Sequence, residues 1–334
     1  MSSFPRSLLA TLGTMALFVG AIVAGSALRW RSPDAGARLG DVVNVSVLAL
    51  VVMLFFDLRI ARAAPTRQEM WFLSVAWIVN FLVIPTLGFA IASLFLRGGP
   101  LLFTGLVIYF MATCTDWFLG FTRLAGGNTR LGSMLIPINM ATQLLMFPLY
   151  LALFAREEAG VNVVAMIDTL VQWFFIPFSA AIIARFVLSR LLPVLVFERL
   201  LLLVSRLIPL VIAAIIVQIF AANIGVMLDY RMASLHILLA VFAYFAVTYV
   251  LGEQLSRFLQ LEQPGRVLLT MTTAARNAPL MLAVTAIALP DQPLIYATIV
   301  IGMLIEFPHL TALQVVLSPR KEGVFTLVAS ESHP

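Results

Sequence analysis

Long apolar blocks, separated by short segments that carry arginine, follow one another along almost the whole of the 334-residue chain. A helix needs about 20 consecutive apolar residues to cross a bilayer, and ten blocks of roughly that length can be placed on the sequence. We therefore predict ten transmembrane helices with no soluble domain between them. The predicted spans cover residues 7–28, 41–58, 70–96, 101–122, 131–155, 164–189, 206–223, 232–252, 266–289 and 294–317.

The composition favours an all-α polytopic membrane protein. Hydrophobic residues make up 62% of the chain and charged residues 11%, whereas soluble domains carry about 25% charged residues. In hydrocarbon every backbone polar group needs a partner inside the protein, so spans are helices or closed barrels. Barrel strands would alternate polar and apolar residues over about ten positions, and the sequence has no such pattern.

Ten spans divide into two sets of five, which we assign to residues 1–160 and 161–334. Because five is an odd number, a duplicated five-helix unit must lie inverted relative to its partner. Inverted repeats are the plan of many secondary transporters, in which equivalent broken helices meet near the bilayer midplane. The fourth and ninth spans are equivalent under this scheme, and we expect them to be broken and crossed.

The net charge is +5, but the basic residues stand singly in loops, a pattern typical of membrane orientation and not of nucleic-acid binding. They favour one side by about two to one, which predicts a plasma-membrane protein with both termini in the cytoplasm. The lipid bilayer and a small solute are the expected partners. The single cysteine, Cys114, excludes an intrachain disulfide and a cysteine metal cluster. Walker A and hydrolase motifs are absent from the sequence, so we expect no cofactor, no metal and no enzymatic activity.

The fourth and ninth spans carry the most unusual polar residues of the chain. Cys114, Thr115 and Asp116 follow a long apolar run in the fourth span, and Arg276 and Asn277 stand before a proline in the ninth. Such small and polar residues suit unwound backbone that lines a cavity. Buried charges are costly unless they are paired, and the inverted repeat would bring Asp116 and Arg276 together. That pair can bind substrate, or it can simply lock the two helices.

Three further polar residues lie in the fifth and tenth spans. Asn139 and Gln143 are four residues apart and share one helix face. They can contact substrate, or they can hydrogen-bond to a neighbouring helix. Glu306 lies deep in the tenth span, where a carboxylate that takes up and releases a proton would couple transport to a pH gradient. The alternatives are a salt bridge and a carboxyl group that stays neutral.

Four short segments carry a resemblance to a known family. They are Cys114-Thr115 with the later Leu124-Ala125-Gly126-Gly127-Asn128, the pair Asn139 and Gln143, the stretch Thr273-Ala274-Ala275-Arg276-Asn277, and Glu306-Phe307-Pro308. These segments resemble the superfamily that joins bile acid:sodium symporters with arsenite-efflux permeases of the arsenical-resistance type, and they are nearer to the arsenical-resistance branch. The similarity covers the whole chain in topology and is specific in the fourth, fifth, ninth and tenth helices.

The resemblance implies a ten-helix fold with a core domain, a panel domain and crossed fourth and ninth helices. It also implies that Cys114 and Glu306 are functional, with arsenite or antimonite exchanged for protons. A soft trivalent arsenic centre prefers a thiolate, and a single As–S bond permits release. Asp116 and Arg276 depart from the common arsenite-permease pattern. In the bile-acid branch a sodium-binding glutamate and a glutamine stand where this chain has Thr272 and Arg276, which argues against sodium.

Three hypotheses follow for the function. The first is a sodium-independent efflux permease of the arsenite or antimonite type, either proton-coupled or a uniporter. The second is a transporter of small organic anions, in which Arg276 binds a substrate carboxylate through charge-assisted hydrogen bonds. The third is a membrane receptor or enzyme that keeps the fold without transport, which the inverted repeat disfavours. The predicted substrate-binding residues are Cys114, Thr115, Asp116, Asn139, Gln143, Arg276 and Asn277, with Glu306 for coupling.

Overall fold

Helices supply the regular secondary structure of the chain wherever the structure describes it. The computed structural model describes residues 4–40, 42–57, 64–96, 98–115, 117–154, 168, 171–229 and 231–318. Within these ranges the one departure from helix and loop is an isolated bridge between two extended segments. The helices are α1 (Phe4–Arg31), α2 (Pro33–Gly40), α3 (Val43–Asp57), α4 (Arg67–Ile78), α5 (Ile84–Phe95), α6 (Pro100–Met111), α7 (Trp117–Leu124), α8 (Thr129–Phe154), α9 (Ile176–Leu191), α10 (Val194–Asp229), α11 (Arg231–Phe258), α12 (Gln263–Ala274), α13 (Ala278–Ala288) and α14 (Pro293–Leu317). A π-helical turn joins α4 to α5, and another precedes α9.

All ten predicted spans contain helix. Among the described residues, seven helices are long and apolar enough to cross a membrane, judged by length and composition. The other three predicted spans differ for local reasons. The fourth and ninth are each divided into two shorter helices, α6 with α7 and α12 with α13. The sixth is represented by α9, because residues 164–167 and 169–170 lie outside the described ranges.

The starts of the helices follow local sequence signals. Thr66 and Glu69 form a capping box before α4, in which each side chain accepts a hydrogen bond from the other residue's backbone N–H. Proline stands in the first two positions of α6, α13 and α14, where its missing N–H leaves no donor unpaired. Helix α10 begins at Val194, earlier than the predicted start of the seventh span, because the apolar run before that span continues the same helix.

The Leu124–Asn128 segment ends α7 with a defined turn. The Gly127 N–H donates to the Thr122 carbonyl at 2.8 Å, and the Gly126 N–H donates to the Arg123 carbonyl at 3.2 Å. This pair of bonds is the Schellman pattern of a helix C-terminus. It places Gly126 at φ 76°, a left-handed conformation that glycine adopts without steric cost.

The same segment starts α8 and docks α12. The side chain of Asn128 accepts from the Leu131 backbone N–H at 3.1 Å, which caps α8. The backbone N–H of Asn128 donates to the Pro264 carbonyl, near the start of α12, at 3.0 Å. A Cβ on Gly127 would lie 2.7 Å from Val267 of α12. The segment therefore holds the two divided spans together at a second place, away from their interruptions.

The helices pack as two groups. In the first, which we call the outer group, α1, α2 and α3 pack against α10, and α3 also packs against α9. In the second, the inner group, α6 packs against α5 and α14, while α11 packs against α12 and α14. The groups meet where α3 contacts α13 and where α1 and α10 contact α14. The divided helices therefore belong to the inner group.

Burial distinguishes the centre of the molecule from its periphery. Large apolar side chains on the outer faces are well exposed, for example Val23 at 61% and Phe242 at 56%. Soluble monomers rarely expose extensive apolar surface, whereas lipid-facing helices present it throughout. In contrast, residues 102–111, 267–274 and 278–287 are buried along their whole length. The interruptions of the two divided spans thus lie in the interior.

Candidate functional site

Two helices are interrupted at the centre of the inner group. Helix α6 gives way to extended backbone at Ala112, with φ −92° and ψ 117°, before α7 begins. Helix α12 gives way to extended backbone at Ala275, with φ −73° and ψ 139°, before α13 begins. We call the two extended segments, residues 112–115 and 275–277, the crossing.

The two segments of the crossing pair with each other. The Cys114 N–H donates to the Ala275 carbonyl at 3.2 Å, and the Asn277 N–H donates to the Ala112 carbonyl at 3.0 Å. These bonds make an antiparallel bridge between the two chains. Backbone that leaves a helix inside a membrane must find partners of this kind, so the crossing supplies its own.

Asn277 adds a side-chain link to the crossing. Its Nδ2 donates to the Thr115 hydroxyl at 3.0 Å, and its Oδ1 accepts from the Leu280 N–H at 3.3 Å. Asparagine is a preferred N-cap because its side chain satisfies a free N–H of the first turn. Asn277 therefore starts α13 and at the same time holds Thr115, the last residue of the other segment. Both Asn277 and Thr115 are buried.

The Arg276 guanidinium binds backbone carbonyl oxygens from two helices. Its Nη1 donates to Phe110 of α6 at 3.0 Å. Its Nη2 donates to Thr272 at 3.1 Å and to Thr273 at 2.7 Å, and its Nε donates to Ala274 at 3.4 Å, all at the end of α12. The side chain has no exposed surface. Arg276 thus caps the C-terminal ends of both interrupted helices.

The positive charge of Arg276 is opposite in sign to the partial charge of the two helix ends that it binds. A helix carries about −0.5 charge at its C-terminus and about +0.5 at its N-terminus. The C-terminal ends of α6 and α12 together face one guanidinium. The face of the Tyr244 ring lies 5.7 Å from the Arg276 Cζ and adds a cation–π contact. A carboxylate also approaches the crossing, at the Arg276 backbone N–H.

That carboxylate belongs to Glu306 of α14. Its Oε1 accepts from the Arg276 backbone N–H at 2.8 Å, and its Oε2 lies 3.3 Å from the Tyr109 hydroxyl. The Tyr109 hydroxyl also donates to the Gly302 carbonyl at 2.9 Å. Glu306 is almost completely buried. It therefore joins three elements of the inner group: the crossing, α6 and α14.

Asn139 and Gln143 are buried in α8 with their amide groups unused. Neither side chain has a hydrogen-bond partner among the described residues, at either its nitrogen or its oxygen. Their exposed fractions are 0% and 2%. Helix α8 packs against α6, α7 and α12, which are three of the four helices that the crossing joins. The interhelical hydrogen bonds considered from the sequence are not formed by these two amides within the described part of the chain.

A cavity of about 570 Å³ lies between the outer and inner groups. Its lining includes Asp57 of α3, Ser205 of α10, and Met140 of α8. On the inner side it is lined by Thr115 of the crossing, and it extends to Arg123, an exposed residue of α7. Cavities of about 300–1,000 Å³ are typical of small-molecule sites. The cavity therefore connects the crossing with the surface of the protein.

The structure brings together most of the residues singled out in the sequence. Cys114, Thr115, Arg276 and Asn277 form the crossing, and Glu306 is bonded to it. Cys114 is completely buried, and its neighbour Thr115 reaches the cavity. Asn139 and Gln143 lie on α8 beside these elements. Asp116 lies outside the described residues, so its pairing with Arg276 stays a prediction.

Tyr109 and Tyr244 were not singled out in the sequence. Tyr109 contacts the Glu306 carboxylate, and Tyr244 lies over the Arg276 guanidinium. Both are completely buried. Aromatic residues are common in membrane helices, so neither stands out from packing residues. The available signal was a hydroxyl group deep in a long apolar run, which needs a partner when it is buried.

These features define a class of protein. The described ranges contain seven potential spans, two interrupted helices that meet in the interior and a cavity beside them, which are the features of a multi-pass membrane transporter. The chain belongs to the Sodium Bile acid symporter family, whose model matches residues 46–230, more than half of its length.

One protein to which the chain is similar is named as an arsenical-resistance protein. The chain is similar to the "Arsenical-resistance protein Acr3" of Corynebacterium glutamicum, with 33% identity over 135 residues. That match covers 39% of this chain and 35% of the relative, so the chain spans about a third of the length of the relative it matches. The relationship to arsenical-resistance proteins inferred from the short motifs is confirmed.

Proposed function

We propose that this chain is a sodium-independent efflux permease for arsenite or antimonite. The observation that carries the proposal is the position of Cys114, the one cysteine of the sequence, in the unwound crossing directly before Thr115, which lines the cavity. The name of the relative from C. glutamicum supports an arsenical as the solute.

The thiol of Cys114 suits trivalent arsenic because soft ligands bind soft centres. Arsenite in its trihydroxide form has three As–O bonds. The Cys114 sulfur forms one As–S bond and one As–O bond breaks, and the displaced hydroxyl leaves as water with the proton of the thiol. A single As–S bond keeps this exchange reversible, which a transport cycle requires.

The amide groups of Asn139 and Gln143 suit a neutral, hydroxylated solute. Each amide offers both hydrogen-bond donors and an acceptor, and both amides are buried with no partner in the described ranges. The hydroxyl groups of the arsenic trihydroxide are likewise donors and acceptors. We therefore propose that these two side chains contact the solute during transport.

The organic-anion alternative has weaker support. It requires the Arg276 guanidinium to bind a substrate carboxylate. That group makes four hydrogen bonds to carbonyl oxygens out of its five N–H donors, and it has no exposed surface. A carboxylate would have to displace these bonds and leave the carbonyl groups of two helix ends unpaired.

Glu306 is the group that we propose for proton coupling. Its carboxylate accepts a hydrogen bond from the backbone of the crossing at Arg276. Hydrogen bonds to an ionised acceptor are roughly twice as strong as neutral ones, so protonation of Glu306 would weaken this attachment. Proton uptake would then alter how α14 holds the crossing. Transport that ignores a pH gradient would instead identify a uniporter.

We also propose the complete membrane topology expected from the sequence. It consists of ten transmembrane helices in two inverted repeats, residues 1–160 and 161–334, in the plasma membrane with both termini cytoplasmic. Two observations support it: the interruptions lie in the fourth span of each half, after α6 and after α12, and the inner and outer groups correspond to a core and a panel.

The test of the proposed substrate is Cys114→Ser. Purified protein in proteoliposomes should take up arsenite and antimonite, and Cys114→Ser should reduce uptake to background, because a hydroxyl is a poor ligand for a soft centre. Uptake of small carboxylates is measured in parallel. Thr104→Val serves as the control, since it changes a buried hydroxyl of α6 that lies away from the crossing.

The control variant should transport arsenite at close to the wild-type rate. Unchanged arsenite uptake by folded Cys114→Ser would make Cys114 a packing residue. Uptake of a carboxylate in place of arsenite would favour the organic-anion alternative.

A further inference from the structure

Four carbonyl oxygens converge on one buried guanidinium from two different helix ends. They belong to Phe110 near the end of α6 and to Thr272, Thr273 and Ala274 at the end of α12. The last four carbonyls of a helix have no partner within that helix. Among the described residues these four share one partner, the side chain of Arg276.

Such a group of oxygens is also a ligand set for a small cation. In transporters with broken helices, half-helix C-terminal ends and unwound carbonyls coordinate Na⁺. Hard oxygen atoms are the ligands that hard cations prefer. Two helix ends of about −0.5 charge each require about one positive charge, and a guanidinium supplies that charge through a covalent tether.

We infer that the Arg276 guanidinium is a built-in cation that takes the place of a bound metal ion at the crossing. The chain then needs no mobile cation to hold α6 and α12 together. Removing the side chain leaves an oxygen-lined site that accepts a monovalent metal ion or a free guanidinium ion. The inference deepens the proposed function, on whose sodium independence it rests, but it does not depend on the identity of the solute.

The first measurement uses the wild-type protein. Its thermal unfolding is followed in detergent in sodium chloride, potassium chloride and choline chloride at equal ionic strength. Because the positive charge is already present, the Tm should be the same in the three salts. A saturable rise of the wild-type Tm with sodium would overturn the inference.

The second measurement uses Arg276→Ala, purified in sodium chloride. In choline chloride its Tm should lie about 10 °C below that of the wild type, because the buried helix ends lose their compensating charge. Sodium or guanidinium at low millimolar concentration should restore part of the loss in a saturable manner. Arg276→Lys keeps a positive charge, so its Tm should not depend on which salt is present.

A matched control is Arg266→Ala. Arg266 donates to the Glu253 carboxylate at 2.9 Å, but it is partly exposed and lies in the first turn of α12, at the opposite end of that helix from Arg276. Any drop in its Tm should be the same with every cation. This variant separates rescue of a specific site from a general effect of salt on a lost arginine.

Two results for Arg276→Ala would overturn the inference. An Arg276→Ala protein with the same Tm in all salts, or one that folds in none of them, would make Arg276 an ordinary structural residue. Sodium-stimulated uptake by the wild type would contradict the proposed sodium independence as well. Absence of arsenite uptake, together with cation rescue of Arg276→Ala, would contradict the proposed solute and leave the inference standing.

Discussion

Packing alone does not explain why the two amide side chains of Asn139 and Gln143 are buried in α8. A buried polar group without a partner costs about 1–3 kcal/mol, and these two amides stand on the same face of α8 with none in the described part of the chain. Asn80 differs at its nitrogen, because its Nδ2 donates to the Thr272 hydroxyl at 3.1 Å while its Oδ1 has no partner among the described residues. Unpaired buried groups in native proteins require an explanation, and contact with a transported solute provides one.

We expect Asn139→Leu and Gln143→Leu to lose arsenite uptake without losing stability. Leucine removes the unpaired groups at similar size, so the Tm should stay level or rise by about 2–4 °C. Thermal unfolding and proteoliposome uptake on the same preparations check this. Asn80→Leu is the control, and its Tm should fall because it strands the Thr272 hydroxyl. Equal destabilisation in all three variants would give the α8 amides a structural role.

The sequence located the residues of the crossing but not the carbonyl groups that the Arg276 side chain binds. Cys114, Arg276 and Asn277 were identified because a thiol, a charge and an amide are unusual deep in apolar spans. Pairing of opposite charges then pointed from Arg276 to Asp116. Asp116 lies outside the described residues, so that pairing stays a prediction, and among the described residues the partners of the guanidinium are backbone carbonyls, which every residue possesses. No residue type in the sequence marks them, so only the three-dimensional path of α6 and α12 shows them.

At the scale of helices, the interruptions were predictable and the close packing around them was not. Polar residues and a proline in the ninth span predicted its interruption. The tight contact between α6 and α14 depends on Gly302, where a Cβ would lie 2.7 Å from the Tyr109 ring. The sequence does not show which side chain of a neighbouring helix packs against a glycine in an apolar helix.

Gly302→Ala should therefore destabilise the protein and disturb the Tyr109–Glu306 contact. Overpacking of this kind costs about 1–3 kcal/mol, which thermal or denaturant unfolding can detect. Gly20→Ala in α1 is the control, because a Cβ at that position meets nothing within 4 Å. Its stability should be unchanged or slightly higher, since alanine favours helix over glycine. Equal stability of the two variants would show that α14 can move away from α6 at little cost.

At the scale of the molecule, the apolar blocks were sufficient to place helices in all ten predicted segments. The blocks could not show which helices become neighbours. In the outer group, α1 and α3 pack against α10, which lies far along the chain. Hydrophobic periodicity does not distinguish a face that meets lipid from one that meets another helix, because both are apolar. The core and panel arrangement was an expectation from resemblance.

The proposed orientation places the cavity on the cytoplasmic side. Cys114 is the one cysteine of the sequence, so Cys114→Ala gives a cysteine-free background. In that background Ser205→Cys, which lines the cavity, should react with an impermeant maleimide in inside-out vesicles. Ser32→Cys, between α1 and α2, should react in right-side-out vesicles. The opposite labelling pattern would invert the topology.

The bonds of Arg276 also limit how this protein can move. One side chain holds the ends of α6 and α12, the paired backbones add two further links, and Glu306 attaches α14 to them. Separating any of these pieces would expose several unpaired polar groups in a nonpolar interior. The crossing is therefore mechanically stiff. A cycle that exposes the cavity to alternate sides of the membrane must displace the inner group as a rigid body, with sliding confined to its contacts with α1, α3 and α10.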